Sequence, residues 1–386
     1  MMLRFLDAGE SHGKGVVTII EGIPYGIMVS EADIARELKR RRQGYGRSSR
    51  MQLEEDRAEI MSGVRYGITI GSPVTISVAN SEYEKWKRKM SLERVDGEGA
   101  LTMLRPGHAD LAGVLKYGTH DVRDVLERAS ARETVGRVCA GAVAKRLLDG
   151  LGIAVRSHVI AIGGIRTKNE GTVPSRDEML GADTDPLRCL DEDASRLMRE
   201  KIDGAREKGD SLGGIFEVVA YGLCAGLGSH VHWDRRLDAR LAAAVMSIQA
   251  VKGVELGDGF RISGMRGSEA ADVIVHEVNN GFHHLTNHAG GLEGGMTNGE
   301  ELVVRAAMKP IPTLAEPLDS VDLASKEKVK AAVERADVCA VPSAAVIAES
   351  VVAFVIADAL LEKTGGDNMQ EVKARYGDII AQQAGF

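Results

Sequence analysis

Residues 130–165 read SARETVGRVCAGAVAKRLLDGLGIAVRSHVIAIGGI, and the change of period inside that stretch decides the fold class. Ser130 and Glu133 have the S-x-x-E spacing of a capping box. Behind them Val135, Val138, Ala142 and Leu147 keep helical spacing as far as Gly150. From Ile153 the chain becomes β-branched and strand-like. The same succession of helix and strand recurs outward in both directions. GVVTIIEGIP (15–24) reads as a strand stopped by Pro24, and SEADIARELKRRR (30–42) as a helix capped by Ser30 and Asp33 with Ile34, Ala35 and Leu38 on its apolar stripe. GVRYGITIGSPVTISVAN (63–80) reads as two strands around a Gly-Ser-Pro turn. Further on, GGIFEVVAYGL (213–223) and ELVVRAAMK (301–309) are strand-like, while 235–253 and 344–363 carry helical patterns. Long helices therefore alternate with strand clusters, not one for one as in βαβ units. That predicts an α+β protein with antiparallel sheets rather than a doubly wound one. No repeat and no composition break marks a linker, so one domain over residues 1–386 is expected.

Composition narrows the class. Of the 386 residues, 44% are hydrophobic and 27% charged, as in soluble globular proteins, and only 4% are aromatic, so the core must be aliphatic. A net charge of −7 argues against a nucleic-acid binder. Cys139, Cys189, Cys224 and Cys339 show no metal-ligand spacing and fit free thiols in a reducing cytoplasm. No secretory signal pattern opens the chain. The most apolar stretch, near residues 344–361, is interrupted by Glu349 and Asp358 and reads as a buried helix, not a membrane span. The charged segment EYEKWKRKMSLERVDGEG (82–99) is expected to be a mobile surface loop.

Five stretches bear groups suited to chemistry. DAGESHGKG (7–15) sets His12 among glycines, which leave room for a ligand. Arg40, Arg41, Arg42, Arg47 and Arg50 run from a helix end into the loop QGYGRSSR; a solvated helix end explains them, and so does a small anion held bidentately. RPGHAD (105–110) displays Arg105 and His108 around a Pro-Gly turn. ERASARETVGR (127–137) presents a capped helix N-terminus between Arg128 and Arg132, again suited to an anion. In HHLTNHAGGLEGGMTNGE (283–300), His283, His284 and His288 lack the spacing of a zinc motif, and no metal is expected. ERADVCAVPSAAVIAES (334–350) offers Arg335 and Asp337 as a salt-bridged helix entry or as a ligand-binding pair. Neither a Rossmann fingerprint nor a P-loop is present.

Taken together and in order, GESHGKG, RRRQGYGRSSR, SGVRYGITIGSPV, RPGHADLAGVLKYG, RASARETVGRV, SIQAVKGVE, GGLEGGMTNGE, MKPIPTL and ERADVCAVP resemble the chorismate synthase family over nearly the whole chain. The resemblance implies helices sandwiched between two antiparallel sheets, a homotetramer, and a lyase that converts 5-enolpyruvylshikimate 3-phosphate to chorismate and phosphate. It implies reduced FMN as cofactor without net redox change. By resemblance His12 protonates the leaving phosphate, His108 manages protonation of the flavin, and Asp337 assists proton removal, with Ser11 and Ser130 organising the proton path. Arg41, Arg47, Arg50, Arg105, Arg132 and Arg335 would hold the substrate. Arg128, Ala129, Ser130, Gln249, Ala250, Gly294, Lys309, Pro310, Ile311, Pro312, Thr313 and Arg335 would hold FMN. Arg41 and Arg47 are also the family positions for NADPH. Three positions depart from the pattern: Ala129 stands where a serine is common, Ala336 lies between Arg335 and Asp337, and His288 replaces a small or amide residue. The alternative enzyme is an FMN/NADPH-dependent oxidoreductase. A binding module for phosphorylated ligands is the non-catalytic alternative.

Overall fold

The computed structural model describes residues 3–47, 56–168, 171–278, 281–333 and 337–386. Four strands, β1 (Arg4–Ala8), β2 (Gly15–Glu21), β3 (Ala58–Ser62) and β4 (Val74–Ala79), form one sheet in the order β1-β2-β4-β3, antiparallel at every step. A second sheet contains β5 (Ala154–Ile162), β6 (Ile165–Arg166), β7 (Gly214–Tyr221), β8 (Val251–Leu256) and β9 (Leu302–Met308). Its order is β8-β9-β7-β5-β6, again wholly antiparallel. The sheets differ in cover. Along β2, Val16, Thr18 and Ile20 are buried while Val17, Ile19 and Glu21 face out, the period of a sheet packed on one side. β5 and β7 are buried almost continuously, which is why their sequences read as unbroken apolar runs.

The helices that matter to the site are α1 (Glu31–Arg42), α2 (Tyr83–Trp86), α3 (Asp110–Tyr117), α4 (Arg123–Ala129), α5 (Thr134–Asp149), α6 (Glu192–Glu207), α7 (Leu237–Met246), α8 (Val341–Thr364) and α9 (Met369–Ala384). α5 packs on β1 and β2, α8 packs on β5 and β7, and the two helices pack on each other, with α1 against both. Two glycines set these distances. A Cβ at Gly136 would lie 2.7 Å from the Asp7 side chain on the first sheet, and one at Gly141 would lie 2.3 Å from the Ser350 Cβ on α8. α5 is thus more deeply embedded than its stripe predicts, with 12 of its 16 residues buried, because both flanks meet other elements.

α8 is long and apolar enough to span a membrane, but 89% of its most apolar window is buried inside the molecule. Its Glu349 is fully buried and accepts from Arg40 Nη1 at 2.7 Å and Nη2 at 3.0 Å, from Ser157 Oγ at 2.8 Å and from Lys145 Nζ. That ion cluster ties α1, α5, β5 and α8 at one point. Burial pushes the Glu349 carboxyl up, but the charges of Arg40 and Lys145 outweigh it and hold the group well below the usual carboxylate range.

Several local expectations change. The Ser30–Asp33 capping box forms in full. At Ser130 it does not: the hydroxyl caps a single 3-10 turn (Ala131–Glu133) by accepting from Arg132 N at 3.3 Å, and Glu133 turns to Arg137 and Gln249 instead. The helical pattern read over 235–253 stops at Ser247, whose hydroxyl bonds back to the Ala244 carbonyl at 2.6 Å. Ala250 then adopts a positive φ of 66° and the chain enters β8. The segment 82–99 is not simply a surface loop, since it begins with α2 and returns Trp86 to the interior side of the fold.

Candidate active site

One cavity of about 870 Å³ gathers groups from both halves of the chain. It is lined by Ser11 and His12 from the β1–β2 connection, Arg41 and Arg47 from and after α1, Arg105 and His108 ahead of α3, and Ala129 to Arg132 between α4 and α5. The other wall is Gln249 and Ala250 at the α7–β8 break, Lys309 and Ile311 to Thr313 after β9, and Asp337 before α8. Among the described lining residues Arg41, Arg47, Lys85, Arg105, Arg132 and Lys309 are cationic, against the carboxylates Asp56, Glu82 and Asp337. In a protein of net charge −7 that local excess marks a place built for anions.

The connection carrying His12 is tight. A Cβ on Gly9 would come within 2.2 Å of the Gly15 carbonyl oxygen, so that glycine serves the crossing of its own backbone, not space for a ligand. Asn80, just beyond β4, donates Nδ2 to the carbonyls of Glu10, Ser11 and Gly13 at 3.1, 3.2 and 2.8 Å. Its Oδ1 accepts from Arg132 Nε at 2.8 Å. Ser130 Oγ lies 3.2 Å from Ser11 Oγ, so the two predicted serines do meet. His12 is buried, with Nδ1 3.0 Å from each oxygen of Glu127 and its ring stacked on Trp86 at a centroid distance of 3.8 Å.

His108 is held in a similar way. Its Nδ1 meets Asp110 Oδ1, and Asp110 also accepts Arg105 Nε at 2.9 Å and Nη2 at 3.1 Å. Burial raises the Asp110 carboxyl, but the hydrogen bonds of His108 and Arg105 prevail and bring it down to about 2. Both imidazoles thus face a carboxylate at Nδ1, where His108 also has Arg105 Nη2 at 3.0 Å, and among the described residues Nε2 has no carboxylate partner.

The arginines divide into anchored and partly unmet. Arg41 donates to Thr134 Oγ1 at 3.0 Å and to the Ala131 carbonyl at 3.1 Å, while its buried Nη1, 3.6 Å from Asp56 Oδ2, makes no hydrogen bond among the described residues. Burial and the charges of Arg132 and Arg47 lower its guanidinium to about 10, against the opposing pull of Asp56. Arg47 donates Nη1 to Asp337 Oδ2 at 2.6 Å and keeps a buried Nε without an acceptor among the described residues. Arg132 reaches Asp56 Oδ1 at 2.5 Å. Lys309 Nζ donates to the Gly107 carbonyl at 2.5 Å, which joins the Pro-Gly turn to the far wall. The buried Oε1 of Gln249 has no hydrogen-bond donor among the described residues.

Three predicted residues lie away from the cavity lining. Arg128 is half-exposed and pairs with Asp7 at 2.6 Å; Gly294 sits in a hairpin beside His230 and Met296; Pro310 is bracketed by lining neighbours without being one. Arg50 and Arg335 fall outside the described residues. His284 and His288 pair with Glu300 and Asp258, and His283 approaches Glu277 at 3.8 Å. No group of three or more potential metal ligands occurs among the described residues. Glu127, Asp110, Asp56, Asn80 and Trp86 escaped the sequence reading. Asp110 and Glu127 stood inside quoted motifs, so adjacency to His108 and to Ser130 was the available signal. Nothing local pointed to Asn80 or Trp86.

A family model described as chorismate synthase matches residues 3–361. The chain belongs to the chorismate synthase family. It is accordingly a carbon–oxygen lyase. The chorismate synthase of Moorella thermoacetica is 52% identical over 375 residues, 97% of each chain. That of Geobacter sulfurreducens is 52% identical over 394 aligned positions, 100% of each. A crystal structure of a chorismate synthase superposes with a TM-score of 0.81 at 41% identity, covering 100% of this chain and 99% of that one. The mixed helix and strand architecture with antiparallel sheets is therefore that of a chorismate synthase.

Proposed function

We propose that this chain converts 5-enolpyruvylshikimate 3-phosphate to chorismate by 1,4-trans elimination in the cavity described above, with reduced FMN as cofactor. The observation that carries the reading is the convergence of two carboxylate-backed imidazoles and six cations on one cavity. The substrate has two carboxylates and a phosphate, and the buried Arg41 Nη1 and Arg47 Nε, which make no hydrogen bond among the described residues, suit such a ligand.

The residues also fit a flavin. The cavity is in the upper part of the ~300–1,000 Å³ range of ligand pockets, enough for two small molecules side by side. The donor-less Gln249 Oε1 suits an imide N–H, and the left-handed Ala250 beside it is the kind of local strain that gathers at ligand sites. Ala129, Ser130, Ile311, Pro312 and Thr313 complete that wall, and Lys309 is placed for a phosphate. These residues would hold the reduced flavin, which would lend electron density to cleavage of the C3–O bond and regain it as the C6 proton leaves, with no net redox change. His12 donates a proton to the leaving phosphate. His108 holds a proton near the flavin, and Asp337, steadied by Arg47, assists removal of the proton lost from C6. Arg41, Arg105 and Arg132 orient the anionic groups; Arg105 does so with its guanidinium already fixed by Asp110.

Arg41 and Arg47 serve the substrate in this reading, and no observation favours NADPH at them. The helices α5 and α8 sandwiched between the two sheets as one domain, a homotetramer and a cytoplasmic location belong to the same proposal. One buried core cluster spanning both sheets, an apolar outer face on the first sheet and four buried free thiols support them. The test is an anaerobic assay with dithionite-reduced FMN, following chorismate absorbance and phosphate. Turnover is expected only with reduced flavin; product without flavin, or NADPH oxidation in place of elimination, overturns the reading.

A further inference from the structure

A positioned imidazolium can protonate a phosphate by itself, without the frame that surrounds His12. Besides the two contacts at Nδ1, the His12 backbone N–H donates to Glu127 Oε2 at 2.9 Å, and the Ser11 N–H donates to the Glu127 carbonyl at 2.9 Å. Glu127 stands on α4 with 3% exposure. Arg123, one turn earlier, donates Nη1 to Glu127 Oε1 at 3.0 Å and lays its guanidinium 5.1 Å from the Trp86 ring centroid. Trp86 covers the face of the His12 ring. The imidazole is thus gripped on one edge by a carboxylate and on one face by an indole, and Arg123 braces both.

We propose that Glu127 is a positioning residue for the elimination, holding His12 in the tautomer and orientation that offer Nε2 to the leaving phosphate. This rests on the reading of His12 as the acid. An ionised carboxylate only accepts, so the Nδ1 facing it must carry hydrogen, and the exchangeable proton is then the one on Nε2. As the C3–O bond breaks, its electron pair stays on the phosphate oxygen, which takes the Nε2 proton. The imidazolium becomes a neutral Nδ1–H imidazole, and Glu127 remains an ionised acceptor throughout. Burial pushes the Glu127 carboxyl up, but hydrogen bonds from His12 and the charge of Arg123 hold it below the usual carboxylate range, consistent with that role.

A residue that merely fastened the β1–β2 connection to α4 would not govern the ring tautomer. Long-range ¹H–¹⁵N spectra of the flavin-free protein, followed up in pH until the His12 ring is neutral and with His12 assigned from His12→Asn, are expected to show the Nδ1–H tautomer in the wild type. In Glu127→Gln, whose amide also donates, the Nε2–H form should appear. In the anaerobic assay Glu127→Gln should lower kcat by about 10²–10³-fold with KM within about threefold, and Glu127→Asp should recover about tenfold of that loss. An Nε2–H tautomer in the wild type overturns the proposal whatever the variants do. So does a Glu127→Gln variant that keeps kcat within about threefold, or one that loses kcat with the tautomer unchanged. If the wild type makes no chorismate, the proposed reaction fails instead, and the spectra still decide the role of Glu127.

Discussion

At the scale of single residues, the site is made of pairs in which one partner was visible in the sequence and the other was not. His12 and His108 stood out because glycine or a Pro-Gly turn flanked them; their carboxylates, Glu127 and Asp110, looked like ordinary helix residues. Asn80 illustrates the limit of sequence reading. It lies 52 residues from Arg132 and 69 from Ser11, and no spacing rule links side chains brought together by sheet pairing. His12→Asn and His108→Asn should each reduce kcat by about 10²–10⁴-fold in the anaerobic assay, as expected for positioned acids and bases. Asp110 makes a separate prediction about stability. Its ordinary value is 3.8 and its folded value about 2, a depressed carboxylate, so its contribution is present above about pH 4 and disappears as pH falls through about 2. Thermal unfolding of the wild type should therefore lose midpoint steeply across that window. Asp110→Asn should start from a lower midpoint at neutral pH and fall less steeply there.

At the scale of elements, the site depends on breaks more than on helices and strands. Gln249 and Ala250 reach the cavity only because α7 stops at Ser247; a helix continued to Gly253 would carry them past it. The sequence pattern ran on because Val245, Ile248 and Val251 keep an apolar face through the break, and periodicity does not register a single residue in the left-handed region. The α2 segment escaped for the opposite reason. Its charges are exposed and outnumber Tyr83, Trp86 and Met90, so the helical spacing of those three is lost in a charged run. Trp233, the other tryptophan, is 73% exposed. In Trp233→Phe the remaining emission comes from Trp86, and addition of flavin or substrate should quench or shift it; an unchanged spectrum at saturating ligand would place α2 away from the bound molecules. Where α5 crosses α8, Gly141→Ala would set a methyl 2.3 Å from the Ser350 Cβ. Overpacking of that kind costs about 1–3 kcal/mol, to be read from the urea midpoint.

At the scale of the whole molecule, charge and topology work in opposite directions. A net charge of −7 surrounds a cationic cavity, so association of a multiply anionic substrate should slow as salt rises, a dependence to be followed in kcat/KM between low and moderate ionic strength. The outer face of the first sheet exposes Leu6, Val17 and Ile19, and light scattering is expected to give a mass near four times 41.3 kDa, with Leu6→Lys lowering it. The α+β class and the antiparallel sheets were legible, since they follow from local periods. The order β8-β9-β7-β5-β6 was not, because register and neighbour choice arise from long-range packing. One feature of that packing also governs when the protein becomes itself. Glu349, which neutralises Arg40 and Lys145, and Ser343, whose hydroxyl donates to the Arg41 carbonyl at 2.6 Å, both arrive on α8, 309 and 302 residues after Arg40 and Arg41. During synthesis α1 must therefore wait through about 300 residues before those two neighbours gain these partners. The nascent chain meanwhile carries the apolar flank of α5 uncovered. Its dependence on chaperones should therefore be greatest just before α8 emerges.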